Sequence, residues 1–366
     1  MILIATQCFP PDRGGIENLM GGLAEALTAR GRPVQVLADI PHVAAIPNAL
    51  PFELRHFGGW KPLRRWRKAR AVKNAIRAGQ IEGVFADSWK SAELLGRLNT
   101  PLVVLAHGME FPAQPSPRKA ARIRRALALA DAVIANSAYT ATLVAPYLQG
   151  NTRLTVVNPP IWPQPPASAA SLARLRGVIG EGSPVLATLS RLEPRKGVDM
   201  VIRALPSIRA QYPGATYMVA GLGHDRARLQ ALAQEVGVAE YVHFIGPVDE
   251  GDKPAFYEVA DIFVMPARRQ GNSVEGFGIV YREAQWYGLP VLAGCDGGAV
   301  DAVAGGELGG LCDGADAEDV RAQLLNMLGD DETRRGLAEK GQAVARGPAQ
   351  WAESVDRFIA ELHHAG

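Results

Sequence analysis

Short apolar runs alternate along this chain with longer stretches in which apolar residues return every three or four positions. Runs too short for a helix and rich in Val, Ile and Leu read as buried strands, and the longer periodic stretches read as amphipathic helices. In the first half, Ile2–Ala5, Pro33–Ala38, Gly83–Ala86, Leu102–Ala106, Ala132–Asn136 and Leu154–Asn158 are strands by this criterion. Helices are expected at Asn18–Arg30, with Leu19, Leu23, Ala26 and Leu27 on its apolar face, and at Ser91–Leu98, Arg118–Leu129 and Thr140–Leu148. The run Asn158-Pro-Pro-Ile-Trp-Pro-Gln-Pro-Pro-Ala-Ser168 is too rich in proline for regular structure and is read as a linker.

Beyond it the alternation restarts. Strands are expected at Val185–Leu189, Thr216–Ala220, Val242–Gly246, Ile262–Met265 and Val291–Ala293. Helices are expected at Val198–Tyr212, Asp225–Val236, Lys253–Ala260, Ile279–Tyr287, Ala317–Leu328, Thr333–Ala345 and Gln350–His363. Strands interleaved with helices imply parallel sheets with crossover connections. The chain is therefore read as α/β, with two doubly wound domains over residues 1–163 and 164–348 and a ligand crevice at the carboxyl ends of their strands.

The composition of the 366 residues, 48% hydrophobic and 21% charged, is that of a globular protein and leaves this picture unchanged. The longest apolar runs, such as Pro101–Ala106, fall far short of the roughly 18 residues of a membrane-spanning helix. The amino terminus lacks the basic start and longer apolar core of a signal peptide and reads as a first strand. Cys8, Cys295 and Cys312 have neither metal-ligand spacing nor an even count, so the cytoplasm is the default compartment.

A net charge of +2 by itself says nothing about partners, its distribution is uneven, and no nucleic-acid partner is expected. Leu54 to Ile81 contains no acid, while Trp60, Lys61, Arg64, Arg65, Trp66, Arg67 and Lys68 follow closely on one another. A basic helix carrying Trp suits an anionic membrane surface or an acceptor presented there, which would make the protein peripheral on the inner face of the cell membrane. The same stretch also has a rough apolar stripe, Leu63, Trp66, Ala69, Val72 and Ile76, that would pack into a core. A second acid-free basic stretch, Arg118 to Arg125, lies in the same half.

The candidate chemistry is concentrated where strands end. Gly14-Gly15 stands between the first strand and its helix, where backbone N–H groups and the helix dipole favour an anion. His107 follows the Leu102–Ala106 strand, and Arg191 and Lys196 follow the Val185–Leu189 strand, where they could neutralise a diphosphate. Gly221-Leu-Gly223 lacks the third glycine of a dinucleotide fingerprint. Glu275 and Glu283, with seven residues between them, lie on the order of 12 Å or more apart at helical rise. That exceeds the roughly 5–9.5 Å of a glycosidase pair, and suits two hydroxyl-bearing ends of one long ligand. No acid or histidine cluster has metal-ligand spacing, so no metal or other cofactor is expected.

Gly14-Gly15-Ile16-Glu17, His107-Gly-Met-Glu110, Ser190-Arg191-(x4)-Lys196-Gly197, Val242-His-Phe-Ile-Gly246 and Glu275-(x7)-Glu283, in this order, resemble the retaining GT-B glycosyltransferases of family 4. The resemblance covers essentially the whole chain. It implies two Rossmann-like domains with an interdomain cleft and a carboxy-terminal crossover helix, about 349–364, that packs back on the first domain, and transfer of a hexose from a GDP-sugar or UDP-sugar to a lipid-linked or saccharide acceptor. Mannose from GDP-mannose is the preferred donor. By resemblance, Arg191 and Lys196 clamp the diphosphate, Glu275 holds the sugar hydroxyls, Glu283 the ribose, and His107 lies near the reaction centre. Gly14, Gly15, Gly221, Ile245, Val248, Gly276, Phe277, Gly278 and Ile279 complete the implied donor contacts.

Two positions depart from the family pattern. Gly297-Gly298-Ala-Val-Asp301 carries a shorter acid than the usual Glu, and the loop Ala267–Val274 is longer and more basic than usual. The alternatives to a transferase are a GT-B hydrolase or epimerase and a catalytically silent sugar-nucleotide-binding module.

Overall fold

A computed structural model describes residues 1–12, 14–39, 50–348 and 350–364. Arg13, within the turn expected before the first helix, and residue 349, at the expected start of the last helical segment, lie outside the described residues. The chain divides into two compact units, Met1–Trp162 together with the carboxy-terminal helix, and Pro163–Pro348. The break falls inside the proline-rich run, whose residues make few backbone hydrogen bonds that could continue a sheet.

The first unit contains seven strands, β1 (Ile2–Thr6), β2 (Val34–Ala38), β3 (Glu53–His56), β4 (Gly83–Ala86), β5 (Leu102–Ala106), β6 (Ala132–Ala135) and β7 (Arg153–Val156). They form one parallel sheet in the order β3-β2-β1-β4-β5-β6-β7. The second unit repeats the plan with β8 (Val185–Leu189), β9 (Thr216–Ala220), β10 (Val242–Gly246), β11 (Ile262–Met265), β12 (Val291–Gly294) and β13 (Gly310–Cys312). Its parallel order is β10-β9-β8-β11-β12-β13. Both orders reverse direction once, between β1 and β4 and between β8 and β11, and such switch points open a crevice at the strand carboxyl ends.

The inner strands are buried on both faces because each sheet is covered by helices on each side, which is why their sequences read as continuous apolar runs. Three elements are not predicted by the hydrophobic pattern. The edge strand β3 is Glu-Leu-Arg-His and largely exposed, so it has no buried alternation to read. The edge strand β13 begins with glycine, a residue depleted from strands. The helix Ala169–Ile179 is short and carries its apolar stripe, Leu172, Leu175 and Ile179, among Ala, Arg and Gly, and it is capped by Ser168, whose hydroxyl accepts from the Ser171 N–H. The helix expected at Ser91–Leu98 is only the short Trp89–Ala92 turn, since Gly96 adopts a positive φ of 64°.

The last helix, Trp351–His363, packs on the first unit. Trp351, Val355, Phe358, Ile359 and Leu362 enter the core that also holds Leu19 and Leu23 of the Gly15–Ala29 helix and Phe85 of β4. Trp351 lies against Gly22, where an added Cβ would stand 2.5 Å from the indole, so glycine is what admits the ring. Thr155 and Arg153 of β7 both bond Glu361 of this helix, at 2.7 Å and 3.3 Å. Trp351→Ala therefore opens a cavity in the first unit and costs about 3–5 kcal/mol of its stability. Urea unfolding followed by probes in each unit checks this, with the loss expected in the first unit alone.

Candidate active site

In the second unit the switch-point strands β8 and β11 deliver two chain segments. From β8 the chain runs through Ser190 and Arg191 to a single 3-10 turn, Pro194–Lys196, and then into the helix Val198–Gln211. Gly197 joins turn and helix at φ 74°, and a Cβ there would overlap the Pro266 carbonyl of the segment after β11. Glycine thus allows the Arg195-Lys196 turn to lie directly on the β11 exit. From β11 the chain passes Val274, Glu275, Gly276 and Phe277 into the helix Ile279–Trp286. Its N-cap, Gly278, has φ 85°, and a Cβ there would meet the Tyr281 ring. The Tyr281 hydroxyl donates to the Met265 carbonyl at 2.6 Å and fixes that ring.

These two segments meet at one carboxylate. Glu275 Oε2 accepts from Lys196 Nζ and, at 3.1 Å, from the Arg195 guanidinium. Arg195 Nε also donates to Glu193 at 2.8 Å, and Glu193 pairs with Arg191 at 3.2 Å. Burial alone would raise the pKa of Glu275, but the Lys196 and Arg195 charges and hydrogen bonds outweigh it and hold the carboxyl down at about 2. Burial pulls the Lys196 ammonium pKa down, with the Glu275 charge opposing. The cluster is a ladder of three cations and two carboxylates, so one positive charge is uncompensated within it.

The sequence reading paired Arg191 with Lys196. In the structure Arg191 lies at the exposed end of the ladder, its side chain 67% accessible, and Arg195, which that reading did not select, is buried against Glu275. The five-residue spacing drew attention to Arg191. Only the turn geometry brings Arg195 and Lys196 to the same acceptor.

Glu283 serves a different neighbour. Its two oxygens accept from Lys253 Nζ at 3.2 Å and the Tyr257 hydroxyl at 2.8 Å, both from the short helix Lys253–Glu258. Burial and the Glu283 charge push the Tyr257 pKa well above its ordinary value, so this hydroxyl remains a donor. For Lys253, burial works against the charged form, but Glu283 and Glu250 prevail and its pKa is raised. Ile245 and Val248 flank the end of β10 and are half-buried, and the Gly221 N–H donates to the Gly246 carbonyl at 2.7 Å. Gly276 and Phe277 are buried and Ile279 is half-buried.

In the first unit His107 stands at the end of β5. Its Nε2 lies 2.8 Å from the Asp87 carbonyl, and because a carbonyl only accepts, this nitrogen carries the proton. Its backbone N–H donates to Glu110 at 2.7 Å. In neutral His107, Nδ1 is then left as the acceptor. Asp87, at the end of β4, accepts from the Thr6 and Ser91 hydroxyls and from the Gln7 N–H, at 3.0, 2.6 and 2.6 Å. Gly14 and Gly15 are exposed where the first helix begins, and the Glu17 carboxylate lies against Gly14.

The basic helix Lys61–Ala78 splits the residues assigned to it. Trp60, Leu63 and Trp66 are 75%, 49% and 52% exposed, and Lys61 and Arg67 are exposed with them. Arg64 and Arg65 are half-buried, Arg65 bonding Gln7. Lys68 must be removed from the surface set. It is buried, 3.3 Å from Asp39 and 2.7 Å from the Thr6 carbonyl, because the helix turns that position onto the sheet. The packing stripe that includes Ala69 and Val72 is real, but Trp66 and Leu63 are not part of it. Among the described residues no helix is long and apolar enough to cross a membrane, and no group of three or more potential metal ligands occurs.

Residues 13–164 match the sequence model of Glycosyltransferase Family 4, and residues 173–344 that of Glycosyl transferases group 1. The chain is 32% identical to a GDP-mannose-dependent α-(1-6)-phosphatidylinositol monomannoside mannosyltransferase of Mycolicibacterium smegmatis, over 99% of this chain and 97% of that one. It is 30% identical to a D-inositol 3-phosphate glycosyltransferase of Geodermatophilus obscurus, over 77% and 63% of the two chains. Its fold is similar to that of a sucrose-phosphate synthase from Thermosynechococcus elongatus, with a TM-score of 0.80 at 20% identity, covering 99% of this chain and 98% of that one. The fold is GT-B, with two Rossmann-like units. The chain belongs to glycosyltransferase family 4 and is a glycosyltransferase.

Because the folded pKa of Glu275 is depressed from 4.5 to about 2, its pairing adds stability above pH 4.5, and that gain is lost as pH falls towards 2. Denaturant titrations of wild type and Glu275→Gln should therefore differ most near neutral pH and converge on acidification. A difference that stays constant across this window would contradict the assignment of Glu275 as the ionised partner.

Proposed function

We propose that the protein is a retaining hexosyltransferase that moves mannose from GDP-mannose to a hydroxyl of a phosphorylated-inositol glycolipid. The observation that carries the donor half is the buried Lys196–Arg195–Glu275 cluster at a switch point, with the surplus cation of the ladder, Arg191, exposed at its rim. A diphosphate is the ligand whose charge such a cluster complements, and Lys196 acts on it as a compact point charge. Glu275 then accepts from sugar hydroxyls, and Glu283, each oxygen of which has lone-pair capacity left, accepts from the ribose diol. The second unit is the donor domain and the first the acceptor domain on this reading. The mannose and the inositol-based acceptor are suggested by the names of the two relatives, which share a phosphorylated inositol.

In the reaction the bond from the anomeric carbon to the diphosphate oxygen breaks. The acceptor oxygen attaches on the same face, and its proton passes to the departing phosphate oxygen. The protein's share is then positioning and stabilisation of leaving-group charge. No metal is required in this scheme. His107, with Nε2–H held by Asp87, offers Nδ1 as an acceptor to a sugar hydroxyl.

Lys196→Ala should lower transfer from GDP-mannose by two orders of magnitude or more, comparable to loss of one oxyanion-type donor. Arg195 still neutralises Glu275 in that variant, so the fold should survive, as thermal unfolding would verify. Near wild-type transfer, or a preference for UDP-hexoses in thermal-shift and turnover assays, would refute the donor assignment. Nucleotide release without any acceptor would favour a hydrolase.

The exposed Trp60, Leu63 and Trp66, flanked by Lys61, Arg67 and Arg70, support peripheral binding to an anionic membrane, where the tryptophans enter the interface and the cations face lipid phosphates. Flotation with vesicles containing phosphatidylglycerol at low salt should recover the protein, and the double variant Trp60→Ser/Trp66→Ser should remain with the soluble fraction. Equal flotation of both proteins would reject this surface.

A further inference from the structure

We infer that Arg268 is a positioning residue that sets the spacing between the Arg195-Lys196 turn and Glu275, an inference that rests on the donor-site reading above. Arg268 lies three residues beyond the end of β11, in the basic loop whose role the sequence left open. Its backbone N–H donates to the Arg195 carbonyl at 2.8 Å, on the backbone of the turn that carries the cations of the site. Its guanidinium forks onto Asp199, with bonds of 3.0 and 2.9 Å to the two carboxylate oxygens, and also donates to the Gly314 carbonyl at 2.9 Å.

Asp199 is in the first turn of the helix that starts right after Lys196 and Gly197, and its side chain is 6% exposed. It is itself braced by Arg228, at 3.4 Å, which forks onto Asp225. Arg268 therefore fastens the loop that ends in Glu275 to the turn and helix start that carry Arg195 and Lys196. The next residue repeats the pattern, since the Arg269 N–H donates to Asp296 at 2.8 Å and holds the loop against the end of β12.

A planar fork on a carboxylate fixes both distance and orientation, whereas an ammonium fixes only distance. Lys196 and Glu275 must face a diphosphate and a sugar that are joined to each other. An error of 1 Å in such spacing costs on the order of 100-fold in rate. The same error weakens the hold of Lys196 on the terminal phosphate while leaving the nucleoside contacts elsewhere in the unit untouched. That gives a readout a purely structural brace would not move, the affinity for GDP relative to GMP.

Calorimetric titrations of the full chain with GDP and with GMP provide the test. In Arg268→Ala, GDP should bind roughly 10-fold more weakly than in wild type, with GMP unchanged, and in a Lys196→Ala background the same substitution should change GDP binding little further. Arg268→Lys should restore only part of the loss. Should Arg268→Ala fail to fold, Asp199→Asn, of equal volume, is run through the same cycle. Unchanged GDP affinity, equal losses for GDP and GMP, or full additivity with Lys196→Ala would each overturn the inference. A wild type that binds GDP no better than GMP, or a Lys196→Ala variant that binds GDP normally, would instead remove the donor-site reading beneath it.

Discussion

Glu275 is a carboxylate taken out of water, and it remains ionised only because Lys196 and Arg195 meet it there. Desolvating such a group is costly, and the attraction of its partners offsets that cost only when their geometry is good and their remaining hydrogen-bonding capacity is used. Much of the second unit follows from this requirement. The turn Pro194–Lys196 must lie on the β11 exit, which needs Gly197 at positive φ, and the helix entrance must double back past the Tyr281 ring, which needs Gly278. Arg268 and Asp199 close the remaining degree of freedom between the two segments.

The first unit meets the same problem with different residues. Lys68 is buried beside Asp39 and bonded to the Thr6 carbonyl and the Ser91 hydroxyl, while Asp87 gathers Thr6, Gln7, Ser88 and Ser91. Burial lowers the Lys68 pKa, with the charges of Asp87 and Asp39 opposing. This network knits together the ends of β1, β2 and β4, so the Asp87 carbonyl that orients His107 is itself fixed. It also explains how one helix serves two purposes. Its Lys68 side satisfies buried charge, and its Trp66 side is left to solvent.

Membership of family 4 accounts for the repeated doubly wound plan, and the basic loop after β11 has a local account of its own. The charge of the loop after β11 is partly absorbed by the Arg268 fork, and the loop closes on the paired Gln270 and Ser273 backbones. Its positive residues are therefore partly internal. A basic loop in sequence does not become a basic surface when a carboxylate such as Asp199 waits at a nearby helix terminus.

The alternation of apolar runs with helical periodicity was sufficient, by itself, to determine the α/β class and most of the strands, because burial on both sheet faces leaves an unbroken apolar record. The edge strands β3 and β13 left no such record, since β3 is Glu-Leu-Arg-His and largely exposed and β13 is only Gly-Leu-Cys, whereas the edge strands β7 and β10 keep enough apolar residues to be read. Glu275, Lys196 and His107 could be singled out from their places in segments that follow strands. Arg195, Arg268 and the inward turn of Lys68 could not, because a side chain's partner depends on which segments the sheet order brings together, and spacing along the chain carries no information about that. The tertiary structure decided which cation reaches Glu275, and it did so through backbone proximity at Gly197 rather than through any motif.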